Sequence, residues 1–330
     1  MPRPVQDELI RLRRELAARR AKFYSDEGVA AVITDDQRAR DAVTFAESAF
    51  ANDGGKAPLA PPSFVVTSEQ YNRVTRLLDS KTKVTMRLTL QVRVSDAAVD
   101  ANNIVAEIPG GSKKDELVMV GAHFDSWHSG TGATDNGAGS AVMMEVVRIL
   151  KALNLKMDRT VRIVLWSGEE QGLLGSEAYV KEHFGDPKTM KLTAEHAKLS
   201  GYFNLDNGSG KIRGVYLQGN DGMRPIFDQW LTPFRDQGVT TISIRDTGGT
   251  DHLSFDDVGL PGFQFIQDPL DYMTITHHSN LDVYDHAIAA DLMQASAVIA
   301  SVVYHAATRP DMLPRKPLPK PETAAASSTK

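Results

Sequence analysis

The chain has 330 residues, 42% hydrophobic and 24% charged, the balance of a folded globular protein with a sizeable core and not of a disordered or membrane-embedded one. Its 42 acidic residues outnumber 37 basic ones, and the resulting formal charge of −5 offers no global attraction for nucleic acid. The absence of cysteine excludes disulfides, thiolate metal sites and cysteine nucleophiles.

Residues 5–23 are expected to form a helix. Its basic run, Arg11 to Lys22, is threaded by Leu12 and Leu16, with Leu9 before it, at helical spacing, and reads as a solvated face. Gly28 then precedes the apolar run Val29 to Ile33, expected as a short buried strand. Pro58, Pro61 and Pro62 break the chain, after which Ser63 to Val66 reads as a strand. Thr67 and Gln70 have the spacing of a capping box for a helix through Leu78. The strict alternation of Val84, Met86, Leu88, Leu90, Val92 and Val94 predicts a half-buried strand. Residues 1–94 are thus expected to make a small α/β module. The charged N-terminus lacks the apolar segment of a signal peptide, and no apolar run is long enough to span a bilayer.

A second region is expected to open with the strand Ile104 to Ile108, the turn Pro109-Gly110-Gly111 and the buried strand Leu117 to Gly121. Val142, Met143, Val146, Val147, Leu150 and Leu153 fall at helical spacing and predict a helix over the sheet. The runs Val161 to Trp166, Tyr202 to Leu205, Val215 to Leu217 and Phe263 to Ile266 supply further strands, and Ile288 to Ala306 the last long helix. Strands alternating with helices imply an α/β fold with a doubly wound sheet. From Arg309 the chain is rich in Pro, Lys, Ala and Ser, and residues 309–330 are expected to be disordered.

The residues that carry chemistry gather where strands end, the place where open α/β sheets bind ligands. His123 and Asp125 follow one strand, and Asp135 to Gly139 open the next helix. Glu169 and Glu170 follow a second strand, Asp206 ends a third, and His277, His278 and Asp282 lie further on. Imidazole nitrogen and carboxylate oxygen are the zinc donors left to a chain without cysteine. Two histidines and three acidic residues suffice for a metal pair sharing one carboxylate, with a further carboxylate free to act as base.

These blocks, His-x-Asp, Asp-Asn-Gly, Glu-Glu, Asn-Leu-Asp and His-Ser-x-x-Asp, occur in that order between about Asn102 and Asp285. In this the chain resembles the zinc aminopeptidase and glutamate carboxypeptidase family, and most of all its carboxypeptidase Q-like members. The resemblance implies a mixed, mostly parallel sheet sandwiched by helices, with a catalytic domain over 95–308. Residues 1–94 resemble the later part of the protease-associated domain that such proteins insert into the catalytic domain, so the chain is expected to start inside that insertion.

Carried over by position, His123 and Asp206 would each bind one zinc, Glu170 and His278 the other, and Asp135 would bridge them. That implies two zinc ions per chain. Glu169 matches the general base, and Asp125 would orient the His123 imidazole. His277 stands where many members have a tyrosine that stabilises the oxyanion, and His-His is the pattern of the carboxypeptidase Q-like branch. Gly248, Gly249, Thr250, Asp251 and His252 would line the substrate pocket, with a plain glycine turn as the other reading of that segment. The resemblance also implies a cis peptide bond between Asp135 and Asn136. The implied partner is a peptide, and a homodimer is allowed. The family's setting is secreted or periplasmic, although no export signal is present in the chain as written. Two other functions are carried: a glutaminyl-cyclase-like acyltransferase, which works with one zinc, and a non-catalytic receptor-like binding protein, which loses its ligands. Metal stoichiometry separates the first, and no ligand position is substituted as the second requires.

Overall fold

The computed structural model describes residues 3–35, 43–45, 61–91 and 100–321. The described residues fall into two compact units. One comprises Met1–Asp100, Trp127–Thr131 and Met273–Asp282, and the other Ala101–Ser126, Gly132–Tyr272 and Val283–Lys330.

In the first unit, helix α1 spans Arg3–Asp26, strand β1 Val32–Asp35, strand β2 Ser63–Val66 and helix α2 Ser68–Asp79. On α1 the charges pair along the helix, Arg11 with Glu8 and Glu15, and Lys22 with Asp26, as a solvated face requires. Strand β1 starts later than expected and is half-buried. The reason is the helix exit: Gly28 takes φ 67°, and Val29 donates its N–H back to Tyr24 O at 2.9 Å, so the first apolar residues cap α1. β1 and β2 pair in parallel, Val32 opposite Ser63. The expected capping box does not form: Thr67 is the N-cap without a side-chain cap bond, and Ser68 Oγ instead donates to Asp35 Oδ1 at 2.7 Å.

Nor do residues 84–91 form the expected strand, and residues 92–94 lie outside the described residues. Met86, Leu88 and Leu90 are about half exposed. Alternation makes a strand only where a neighbour takes its backbone hydrogen bonds, and among the described residues this unit's only sheet is the β1–β2 pair. The 273–282 segment is fixed within the same unit. Phe45 and Ser279 form a β-bridge, and Thr44 N–H donates to Asn280 Oδ1 at 2.9 Å.

The second unit is built on strands β3 (Ile104–Ile108), β4 (Lys113–His123) and β5 (Arg159–Trp166), with helix α3 (Ala138–Ala152) before β5. Helix α4 (Leu174–His183) and the short pair β6 (Gly185–Asp186) and β7 (Lys191–Leu192) follow. Then come β8 (Leu199–Asn204), β9 (Ile212–Tyr216), α5 (Arg224–Leu231), β10 (Thr241–Ser243), α6 (His252–Asp256), β11 (Gly262–Gln267) and α7 (Ala289–Thr308). Seven strands form one sheet in the order β10-β9-β11-β8-β4-β5-β3. The β9–β11 and β3–β5 pairs are antiparallel and the other four parallel.

Alternating side chains send the sheet's two faces into two cores. Val118, Val120, Ala122, Ile163 and Leu165 pack with α3, α5 and α7. Leu117, Met119, Val164 and Trp166 pack with Tyr179 and Val180 of α4 and Phe255 of α6. Full burial of a valine, leucine, isoleucine, methionine or phenylalanine among them contributes about 1.5–3 kcal/mol. Helices on both faces of a mostly parallel sheet are the expected architecture.

The expectation of disorder from residue 309 is corrected as far as 321. Leu313 is 2% exposed in the larger core, and Arg315 donates to Leu199 O at 2.7 Å. Composition misleads here because this stretch is anchored by single contacts rather than by an apolar period. Residues 322–330 lie outside the described residues. No helix among the described residues is long and apolar enough to cross a membrane.

Candidate metal centre

The site of the second unit stands where β4, β5 and β8 run side by side and end at one edge. His123 is the last residue of β4, Glu169 and Glu170 follow β5, and Asp206 follows β8. The His123 side chain is fully buried. Its Nε2 lies 3.2 Å from Asp135 Oδ1, 3.3 Å from Asp206 Oδ1 and 4.0 Å from Glu169 Oε2. Two sets of donor atoms lie within 4.8 Å of one another, His123 with Asp135 and Glu170, and His123 with Glu169 and Asp206.

Asp125 ties two corners of this cluster together. Its backbone carbonyl is 3.0 Å from His123 Nδ1, while its carboxylate stands 3.6 Å from that nitrogen. The carboxylate also accepts the backbone N–H groups of Glu169 at 3.3 Å and Glu170 at 3.2 Å. Asp125 therefore meets the ring with its carbonyl and its carboxylate, and the carboxylate also holds the Glu-Glu turn.

Asp135 is held from the chain around it. The Asp135–Asn136 peptide bond is cis, as the resemblance implied. Asn136 Nδ2 donates to Leu205 O at 2.9 Å, and Asn136 Oδ1 accepts from Gly139 N at 3.0 Å, which links the Asp135 turn to the strand end that carries Asp206. A β-carbon at Gly139 would stand 2.2 Å from Asn136 Oδ1 and 2.4 Å from Leu205 O. Gly139→Ala is thus expected to cost about 1–3 kcal/mol of stability by overpacking, read by denaturant unfolding. An unchanged unfolding midpoint would show that the Asn136 link does not constrain the turn.

A chain of buried hydrogen bonds braces the same edge. Trp166 Nε1 donates to Tyr202 Oη at 2.7 Å and Tyr202 Oη to Asn204 Oδ1 at 2.5 Å. Asn204 Nδ2 donates to Thr250 Oγ1 at 2.8 Å and Gln264 Oε1 at 2.9 Å. Neither this network nor Tyr272 was read from the sequence. Tyr272 is buried and hydrogen-bonded to Asp135, and burial with the charges of Asp206 and Asp135 pushes its pKa well up. Its nearest sequence signal is a tyrosine a few residues before His277, at a spacing no motif marks.

The segment of Gly248 to His252 divides in two. Gly248 and Gly249 are exposed, whereas Thr250, Asp251 and His252 are buried. His277 and His278 belong to the first unit. Their rings stack with centroids 3.7 Å apart, His278 has φ 61°, and its ring lies 5.6 Å from that of Trp127.

The electrostatics are those of crowded buried acids. Burial, then the charge of Asp206, pushes Glu169 up to about 10 against the opposing pull of His123. Burial likewise pushes Asp135 to about 6 and Asp251 to about 7. Burial alone would lower His123, but Asp206, Asp125 and Asp135 raise it well above its ordinary value. A dication among such groups favours their charged forms, and an imidazole with several carboxylates is a zinc donor set, so the residues present fit zinc.

A folded-state pKa raised above the unfolded one stabilises fully below the unfolded value, and that stability is lost as pH rises through the folded value. Asp251, raised from 3.8 to about 7, thus makes metal-free protein lose stability between about pH 4 and 7. Measured against Asp251→Asn, which removes that titration, the loss between pH 5 and 8 should be about 2–4 kcal/mol. Parallel pH curves for the two proteins would exclude Asp251 as its source.

The model of peptidase family M28 matches residues 103–303, the span that carries all of these strand ends. The chain belongs to this family. Carboxypeptidase Q of Rattus norvegicus is 31% identical over 254 residues, 77% of this chain and 51% of that protein. Aminopeptidase YwaD of Bacillus subtilis is 30% identical over 224 residues, 66% of this chain and 47% of that protein. The chain spans about half the length of the curated relatives it matches. The crystal structure of a peptidase M28 precursor from Shewanella amazonensis superposes with a TM-score of 0.72 at 28% identity, covering 89% of this chain and 63% of that one. A zinc aminopeptidase from Bacillus subtilis, at 24% identity and a TM-score of 0.59, covers 89% of this chain and 68% of its own and shares the fold.

Proposed function

We propose that this chain is a zinc-dependent exopeptidase that hydrolyses the peptide bond of dipeptides or short peptides. The observation that carries the reading is the convergence of His123, Asp135, Glu169, Glu170 and Asp206 on one strand edge, with donor atoms in two overlapping groups that share His123. Membership of peptidase family M28 supports it.

In this reading His123 and Asp206 would each hold one zinc, Glu170 and His278 the other, with Asp135 shared between them. The position of His278 in the set rests on its His-Ser-x-x-Asp block. When bound, two zinc ions supply Lewis-acid polarisation of the scissile carbonyl and acidify water. Glu169 takes the proton of the attacking water and delivers it to the leaving amine, whose expulsion breaks the peptide bond. Asp125 keeps Glu169 and Glu170 in register by binding both of their amides. His277 donates to the oxyanion, and exposed Gly248 and Gly249 meet the substrate. On the same reading residues 1–94 are part of a protease-associated domain.

The test is a panel of dipeptides, free and blocked at either end, assayed with zinc and with a chelator. Zinc-dependent hydrolysis of unblocked dipeptides is expected, and the block that stops cleavage assigns the chain as aminopeptidase or carboxypeptidase. No hydrolysis of any peptide by zinc-loaded, folded protein would refute the activity.

A further inference from the structure

We propose that residues 313–319 form a strap that positions the 247–256 segment, and that Lys316 is its positioning residue. The inference rests on the reading that this segment serves the reaction.

The strap is fixed to the sheet before it reaches the loop. Leu313 is buried in the core shared with α3 and α7, and its N–H donates to Ser200 Oγ at 3.2 Å. Asn220 Nδ2 donates to Pro314 O at 2.7 Å. Arg315 donates to His196 O at 3.0 Å and Leu199 O at 2.7 Å. Further on, Leu318 lies against Gly259, where a β-carbon would come within 2.7 Å of its Cδ2.

From this anchored stretch Lys316 reaches both ends of the loop. Its Nζ donates to Gln218 O at 2.6 Å and pairs with Asp256 Oδ1 at 2.5 Å. Gln218 is 1% exposed, and its side chain clasps Thr247 from both sides: Thr247 N–H donates to Oε1 at 2.6 Å, and Nε2 donates to Thr247 O at 2.9 Å. The same Thr247 carbonyl lies 3.2 Å from His252 Nε2. At the far end Asp256 closes α6, the helix that begins beside Asp251. One ammonium thus holds the entry of the segment through Gln218 and its exit through Asp256. Between those points stand exposed Gly248 and Gly249, and Thr250, which Asn204 binds from the metal edge. Two adjacent glycines give that loop little stiffness of its own, so its position depends on what holds its ends. The Asp256 side chain is only 7% exposed, a setting in which loss of a charge partner is felt more than at the surface.

The test uses the whole chain and needs no ligand for its first readout. Lys316→Met is compared with wild type, with Lys316→Arg as the charge-restoring variant and Lys320→Met as an exposed control, by hydrogen exchange. Amides of 247–256 are expected to exchange faster by about tenfold in Lys316→Met, with the sheet unchanged and Lys316→Arg restoring protection. On a cleavable dipeptide KM should rise more than kcat falls. Exchange in 247–256 equal to wild type, or raised equally throughout the chain, overturns the proposal. So does a local rise with unaltered kinetics. Should Lys316→Met not fold, Asp256→Asn removes the same ion pair with the same expectations. Wild-type protein that cleaves no peptide defeats the proposed function, while the exchange result still judges the strap.

Discussion

Glu169→Gln is expected to lower kcat by a factor on the order of 10² to 10⁴ while zinc content stays at the wild-type level. The substitution keeps the shape of the side chain and removes the oxygen that accepts the proton. Glu170→Gln should behave in the opposite way, losing metal first and activity as a consequence, because its oxygen belongs to the donor group with His123 and Asp135. The two residues are adjacent in sequence, and Asp125 binds the amides of both, so neither substitution disturbs the turn itself. The contrast between the two variants therefore reports side-chain role. If Glu169→Gln lost zinc and Glu170→Gln kept it while turning over slowly, the two assignments would be exchanged.

Chelation is expected to abolish hydrolysis and to lower Tm, with both restored by added zinc. The folded chain gathers Asp135, Glu169, Asp206 and Asp251 into a buried space where burial and mutual repulsion raise the pKa values of Asp135, Glu169 and Asp251. An ion that binds only the folded arrangement stabilises it by RT ln(1 + [L]/Kd), about 4 kcal/mol at a thousandfold excess over Kd. Unfolding should therefore shift with free zinc concentration at neutral pH. At pH 4 the shift should shrink, since protonated carboxylates are poor ligands. A Tm that ignores zinc at pH 7 would mean that the cluster is held together without it.

Most of the second unit was legible in the sequence because its strands are continuous apolar runs and its long helices have apolar stripes. Val161 to Trp166 and Phe263 to Ile266 both lie within observed strands, and Val142 to Leu150 within α3. Helix α4 escaped because it buries Ser176 beside Tyr179 and Val180, a face without an apolar period. Helix α6 is five residues long, too short for any periodicity. The alternation from Val84 misled because period two describes side chains and says nothing of whether a neighbouring strand exists.

At the site, residue types and order pointed to a cluster of candidate donors, and the structure brings His123, Asp135, Glu169, Glu170 and Asp206 together. Orientation was beyond reach of pattern. That Asp125 turns its carbonyl to His123 and its carboxylate to two amides, or that Tyr272 meets Asp135, depends on backbone direction at strand ends. The Arg309 to Pro321 stretch shows the same limit, because Arg315 and Lys316 are held by carbonyl groups distant in sequence.

The most direct measurement of the central claim is the zinc content of purified, metal-replete protein. The account predicts close to two zinc ions per folded chain, one lost readily when Glu170 is replaced by Gln. A single tightly bound ion in fully folded protein would contradict it and remove the shared role given to Asp135.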